Sequence, residues 1–494
     1  MNTARKILSN TFYQIMGRAF VAVMSLVVLK VITYYLDVGM YGEYSNVYEF
    51  LALFSIIADF GLYTISVREM SKDEENIPKI LGNILSLRMM IAAVVMTGVI
   101  VAGFMIPSHQ GTQMPYAIMI ATTASMLALV NGTMISVFQE KYKMQHAAIG
   151  QIFGKFIQVA YMLIAVFVLF SDNKGQGFYH LFWSGVIGNF AMMVYTVIMV
   201  RKYTPVRLRF DKVYMIYILK QAAPYGLALF FSNIYFRADA ILIFNMKGRV
   251  EEGLYGVSSR LLEALSILPL YFMNAVLPTL TRHIKEKLDS YKKIIQYTFD
   301  FQLMLSLPFL VGGFILADSV IYLIAKPEFL SRVSEGFYGS DAALQIVLFS
   351  FVLISLNIIF NFTLIAIGKQ AKLLWINLTC AIFNIIGNLI FIPMLGFRGS
   401  AYTTVASQFL VLIFVFFTAK KYLPFKLGFS RSVKILLSAL IMGAVIYFLK
   451  APVFSLVHYW NALILVPIGA VVYLGSLFVT KALTKDLIRQ VLQK

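Results

Sequence analysis

Two stretches of this sequence carry one pattern. GMYGEYSNVYEFL runs from Gly39 to Leu51 and GLYGVSSRLLEAL from Gly253 to Leu265. Aligned without a gap, they share Gly39/Gly253, Tyr41/Tyr255, Gly42/Gly256, Ser45/Ser259, Glu49/Glu263 and Leu51/Leu265. Each opens a long apolar run and sets an acid, Glu49 or Glu263, inside it. A weaker echo places NGTMI at Asn131 against NFTLI at Asn361, each followed at the same distance by Ile-Phe (Ile152-Phe153 and Ile382-Phe383). The chain therefore reads as an internal repeat whose corresponding helices run in the same direction, the parallel kind of repeat seen in transporters.

Composition says what surrounds those runs. Apolar residues make up 60% of the chain and charged residues 13%, with a mean hydropathy of +0.79. A water-soluble domain cannot cover that much apolar surface, whereas a bilayer asks for no covering. A spanning helix needs about 20 residues, and fourteen such stretches are present: 11–36, 43–65, 80–106, 115–139, 147–170, 178–200, 214–244, 254–280, 299–325, 341–368, 371–393, 400–420, 433–450 and 457–480. They exceed the length of a barrel strand and do not alternate polar with apolar, so helices are required. The predicted fold is an all-α polytopic membrane protein of about 14 transmembrane helices: two six-helix lobes related by a parallel pseudo-two-fold repeat, plus two extra C-terminal helices. The boundaries fall at 1–200 for the first lobe, 201–213 for a basic linker, 214–422 for the second lobe and 423–494 for the extra helices and tail.

The net charge of +19 fits this picture better than it fits nucleic acid. Sorting the loops by side gives 29 Lys and Arg on one face of the membrane and 7 on the other. By the positive-inside rule both termini are expected in the cytoplasm. The N-terminus, MNTARKILSN, shows no signal-peptide cleavage pattern and leads straight into the first span. The one cysteine, Cys380, lies in an apolar run, so neither a disulfide framework nor a thiolate metal site is expected. The five histidines show no metal-ligand spacing, and no Gly-rich nucleotide loop is present, so no metal, cofactor or catalytic apparatus is expected. Three glycosylation sequons, at Asn131, Asn361 and Asn377, lie in or beside apolar helices and are set aside. Gly150 and Gly154 form a GxxxG that reads as helix packing.

The chemistry lies in the charges left at membrane depth. These are Arg18, Lys30, Arg88, Lys155, Arg237 and Arg260, with the acids Glu49, Asp59, Asp239 and Glu263. A charge facing hydrocarbon costs about 2.5–3.5 kcal/mol even on the gentler scale, so such residues face protein or water. Arg260 and Glu263, three apart, share a helix face and can pair. Arg88 and Lys155 read as snorkelling to the headgroups. Arg18, Lys30, Arg237 and Arg260 are the candidate anion-binding cations. Glu49, Asp239 and Glu263 are the candidate coupling or charge-balancing acids.

The stretch YYLDVGMYGEYSNVYEFLALFSIIADFGLYTISVREMSK from Tyr34 resembles the opening helices of the Wzx-type polysaccharide flippases. These form a branch of the multidrug/oligosaccharidyl-lipid/polysaccharide exporter superfamily. RADAILI followed by GLYGVSSRLLEAL, and LGFRGSAYTTVASQ at Leu395, resemble later parts of the same pattern. The resemblance implies a carrier moving an undecaprenyl-pyrophosphate-linked oligosaccharide from the cytoplasmic to the outer leaflet by alternating access, for surface polysaccharide such as O-antigen, capsule or exopolysaccharide. It also implies two six-helix bundles in a V whose cavity is lined by spans 1, 2, 7 and 8, which carry the seven candidate residues. Tyr34, Tyr41, Tyr235 and Tyr255 are candidate sugar-facing aromatics. A bacterial inner-membrane location is implied, with H+ or Na+ as a possible coupling ion. Lipid-linked oligosaccharide and membrane lipids are the expected partners, alongside a polymerase and glycosyltransferases of the same pathway; nucleic acid is not. The alternative is a cation-coupled multidrug or small-molecule exporter of the same superfamily. Against it stand the extra spans at 433–480 and the basic rather than acidic set of buried charges. A membrane polymerase or ligase would be expected to carry a large outer loop, and none is present.

Overall fold

The computed structural model describes residues 3–286 and 288–483; the side chains of residues 3–12, 14, 15, 18, 19, 224, 225, 227–229 and 231–236 are not described. Among the described residues the chain is helical throughout, with one isolated bridge between Arg332 and Phe337. Helix covers most of each of the fourteen predicted stretches. Eleven segments are long and apolar enough to cross a membrane, one of them, Ser430–Val479, covering the last two predicted spans. The chain is a multi-pass membrane protein. By packing it divides into two compact units, Met1–Gly253 and Leu254–Lys494.

The first unit holds α1 (Thr3–Tyr35), α2 (Val38–Asp59), α3 (Leu62–Lys72), α4 (Ile77–Met105), α5 (Met114–Glu140), α6 (Met144–Ile164), α7 (Lys174–Val200) and α8 (Lys212–Lys247). It closes in the first turn of α9 (Arg249–Lys285). Helix α2 begins where Asp37 accepts the amide of Met40, a side-chain cap for an otherwise orphaned donor. It stops at Asp59 because Phe60 and Gly61 both take left-handed backbone, at φ 47° and 73°; α3 then restarts the same span. The core of this unit gathers Leu62, Leu81, Ile84, Phe138, Val200 and Ile218. The predicted GxxxG does pack helices. A Cβ at Gly154 would lie 2.7 Å from the Gly188 carbonyl on α7, and one at Gly150 would lie 3.1 Å from Tyr195. The basic linker is tied down beside α4. The Arg209 amide reaches Gly82 O at 3.3 Å, and the Asp211 amide reaches Asn83 Oδ1 at 2.8 Å. Asp211 caps α8 by accepting the Tyr214 amide at 3.1 Å and pairs with Lys79 at 3.3 Å. That amide first and that lysine second hold its carboxyl below the usual range.

The second unit holds the rest of α9, then α10 (Ser290–Ile315), α11 (Ala317–Ile324), α12 (Ser340–Ala366), α13 (Ala371–Leu395), α14 (Phe397–Tyr422), α15 (Ser430–Val457) and α16 (Ala462–Val479). Ile435, Met442, Leu465 and Tyr473 of the last two helices sit in the same core as Phe299, Phe360 and Val411, so α15 and α16 are integral to this unit. Arg431 at 3.2 Å from Asp300 and Lys450 at 2.8 Å from Asp318 tie α15 to the α10–α11 stretch. The packing boundary lies within α9, not at the linker where the sequence repeat turns over. Helix α8, the first span of the second repeat, packs on α2 and α3 of the first unit.

Candidate functional site

The start of α2 explains its glycines. A Cβ on Gly42 would fall 1.8 Å from the Arg249 carbonyl, and one on Gly253 would fall 2.1 Å from the Val38 carbonyl. Only glycine lets the first turns of α2 and α9 touch backbone to backbone. The contact carries charge with it: Arg249 lies over Glu43 at 3.0 Å, and Glu43 is almost fully buried. The Gln113 amide completes that carboxylate at 3.4 Å.

Gly42, Asn46 and Glu49 follow one another at i, i+4 and i+7, so they share a face. That face meets α8. The Asn46 amide donates to the Ala240 carbonyl at 3.3 Å. Arg237 donates to Glu49 at 2.6 Å, with the side chains 21% and 8% exposed respectively. Asp239, two residues on, is buried at 4%. Two expected site residues, Arg237 and Glu49, are therefore partners across a helix interface. A neighbouring α2 face carries Tyr44 and Tyr48 against Phe182 of α7, with ring centroids 4.9 and 5.4 Å away.

Farther along the same span lies a second ion pair. Arg88 of α4 is 1% exposed and meets the carboxylate of Asp59, which is 31% exposed. Arg88 also donates to the Leu129 carbonyl at 2.9 Å and to Thr133 Oγ1 at 2.7 Å. Asp59 accepts the Gly61 amide at 3.2 Å, so the pair clasps the bend between α2 and α3. Both charges border an open cavity of about 290 Å³ that also touches Ser55, Tyr63, Ser125 and Gly132. The expectation that Arg88 snorkels to headgroups is corrected here: it is buried, and a carboxylate, a hydroxyl and a carbonyl engage its terminal nitrogens.

In the second unit Arg260 and Glu263 pair along α9 at 2.9 Å, as their spacing suggests. Their side chains are 31% and 43% exposed, so the contact is a loose one. A firmer clasp joins α9 to the start of α12: Ser258 donates to the Ser340 carbonyl at 2.6 Å, and Ser340 donates to the Leu254 carbonyl at 2.7 Å. Of the other expected residues, Lys30 lies half-buried in α1, while the side chains of Arg18 and Tyr235 lie outside the described residues. Tyr34 is exposed, but Tyr41 at 1% and Tyr255 at 4% are core residues, not walls for a sugar. Among the described residues no cluster of His, Cys, Asp and Glu could hold a metal ion. The pairs Glu43–Arg249 and Asp59–Arg88 were not anticipated, because nothing along the chain tells which helices touch.

A family model described as polysaccharide biosynthesis protein matches residues 7–284. The chain belongs to the polysaccharide biosynthesis protein family. Among solved structures, the lipid II flippase MurJ in an inward closed conformation superposes with a TM-score of 0.72 at 14% identity, covering 99% of this chain and 100% of that one. A MATE-family multidrug resistance transporter of the MOP superfamily, inward-facing, gives 0.66 at 12% identity, covering 81% and 94%. An outward-facing one gives 0.60 at 14%, covering 84% and 95%. At these identities the likeness is one of fold. A search of curated protein sequences finds no match. The fold is thus one that a lipid II flippase and MATE-family transporters share.

Proposed function

We propose that this protein is a flippase carrying a polyprenyl-pyrophosphate-linked oligosaccharide, undecaprenyl as the lipid, from the cytoplasmic to the outer leaflet of a bacterial inner membrane. The family match carries the reading: it assigns the chain to polysaccharide biosynthesis, and its fold is shared with a lipid II flippase over 99% of its length. The charges support it. A diphosphate crossing hydrocarbon needs cations away from water, and arginine binds phosphate oxygens in a fork. Arg237 and Arg260 are offered for that role together with Arg18 and Lys30. In the resting protein Glu49 and Glu263 occupy two of those arginines, so substrate phosphate would compete with a carboxylate for each. Glu49, Asp239 and Glu263 are the acids through which H+ or Na+ would couple to transport. On this reading both termini lie in the cytoplasm, the side on which glycosyltransferases of the pathway would build the substrate, and a polymerase would take it up after translocation. The extra helices α15 and α16 favour this reading over the drug exporter: the inward-facing MATE structure covers only 81% of this chain.

The test is reconstitution in vesicles with a fluorescent pyrophosphate-linked oligosaccharide on a polyprenyl lipid. Protein-dependent appearance of the sugar on the far leaflet is expected, and Arg237→Ala should abolish it in protein that still inserts. Vesicles that move a lipophilic cation but leave the glycolipid in place would instead identify an exporter.

A further inference from the structure

Helix α6 presents three polar side chains that the fold does not use. Gln151, Lys155 and Gln158 lie at i, i+4 and i+7, within about 60° of one another around the axis. The exposed side of the same helix is marked by Ile149, Phe153 and Phe156. The stripe faces away from it, toward the protein. Its surroundings say which neighbours it meets. A Cβ on Gly17 of α1 would lie 2.9 Å from Ala148 Cβ and 3.7 Å from Gln151 Oε1, and one on Gly188 of α7 would lie 2.7 Å from Gln158 Cβ. Lys155 stands between those two contacts, half-buried. It is eleven residues from Met144, about 17 Å along the helix, inside a segment long and apolar enough to cross a membrane. Among the described residues none of the three side chains has a hydrogen-bond or ion-pair partner.

An ammonium at that depth, turned inward and flanked by two unengaged carboxamides, is a set of donors waiting for an acceptor. Lysine bears three N–H groups and no acceptor, and each glutamine adds two N–H donors. A membrane charge placed this way marks a ligand path. We propose that Gln151, Lys155 and Gln158 form an anion subsite that takes a phosphate of the translocated lipid. Lys155 supplies the charge, and the two glutamines supply hydrogen bonds to the phosphate oxygens. The assignment rests on the flippase reading and adds to it a binding locus on α6, a helix outside the four expected to line the path.

The experiment uses full-length protein in nanodiscs and measures binding of undecaprenyl pyrophosphate, with phosphatidylglycerol as the competing phosphate source. Lys155→Gln should weaken pyrophosphate binding by about ten- to a hundredfold, the worth of a charge-assisted contact, while Lys155→Arg stays within about threefold. Equal binding by wild type and Lys155→Gln overturns the subsite and leaves the flippase reading intact. Absence of binding by wild type overturns both. Lys155-dependent binding of phosphatidylglycerol alone makes the stripe a bilayer-lipid site and overturns its assignment to substrate. Should Lys155→Gln misfold, Lys155→Cys decides, because the native Cys380 is buried. A water-soluble thiol reagent should label residue 155 in native membranes, and undecaprenyl pyrophosphate should protect it; failure to label places the stripe off the wet path and sinks the proposal.

Discussion

Replacing Asp59 by asparagine removes one charge and almost no volume. Its effect follows from what Arg88 keeps. The guanidinium is 1% exposed, so it cannot turn to water once the carboxylate is gone. It retains Thr133 Oγ1 at 2.7 Å and the Leu129 carbonyl at 2.9 Å, two neutral acceptors for a full charge. Removing one partner from a buried pair costs about 3–5 kcal/mol. Asp59 itself is 31% exposed, and its partial solvation lowers the figure to about 2–3 kcal/mol. That corresponds to roughly thirty- to a hundred-and-fiftyfold in the unfolding equilibrium. Arg88→Leu with Asp59→Asn removes the orphaned charge, so the double variant should be more stable than Asp59→Asn alone. Unfolding of purified protein in mixed micelles, followed by the fluorescence of its 3 tryptophans, gives the double-mutant cycle. Amide exchange at Phe60–Tyr63 should rise in Asp59→Asn, because the same carboxylate holds Gly61. A single variant as stable as wild type, or strictly additive effects, would refute the claim that this pair clasps the bend of the span.

Gly42→Ala should destabilise the first unit by about 2 kcal/mol or more, because its methyl meets backbone at 1.8 Å and only a helix shift makes room; thermal inactivation in detergent reads it. Arg237→Ala, which takes the guanidinium away from the buried Glu49, should lower stability by about 3 kcal/mol, and Glu49→Gln/Arg237→Gln should recover part of that while leaving transport absent; comparing melting with vesicle translocation separates the two effects. His109, in the loop between α4 and α5, is 1% exposed and sits edge-on to Phe50 and Phe244; burial pushes it below its ordinary value of 6.5. The folded ring stays neutral while the unfolded one takes a proton, so stability should fall as pH drops below about 6.5, and His109→Gln should flatten that dependence in melting curves.

Span positions were legible because hydropathy over about 20 residues depends only on the solvent. The pairing of Arg260 with Glu263 was legible for a similar reason: three residues along a helix is a local distance. The break in the second span was not. A continuous apolar run gives no sign that Phe60, an ordinary aromatic, adopts φ 47°; only the adjoining Gly61 hints at a turn. Arg249 looked like a loop residue because it stands at the polar end of a helix, yet its side chain lies over a buried carboxylate that belongs to another span. Lys155 reads as snorkelling from its place in the run 147–170, yet its side chain is half-buried in the protein.

These misreadings share a cause. Between helices in a bilayer there is little hydrophobic gain, since lipid tails are as apolar as leucine, so contacts are specified by small residues and by polar pairs. In sequence both kinds look like scattered interruptions of an apolar run. Gly42, Gly253, Glu43 and Arg249 are four such interruptions, and in space they form a single contact between the first turns of α2 and α9. Asp59, Gly61 and Arg88 are three more, and they form a single bend. Each interruption so grouped meets another in space. Gln151, Lys155 and Gln158 follow the same spacing rule on α6 and are answered by nothing among the described residues. Where the described membrane charges meet partners in this way, that stripe is where an incoming anion has work left to do.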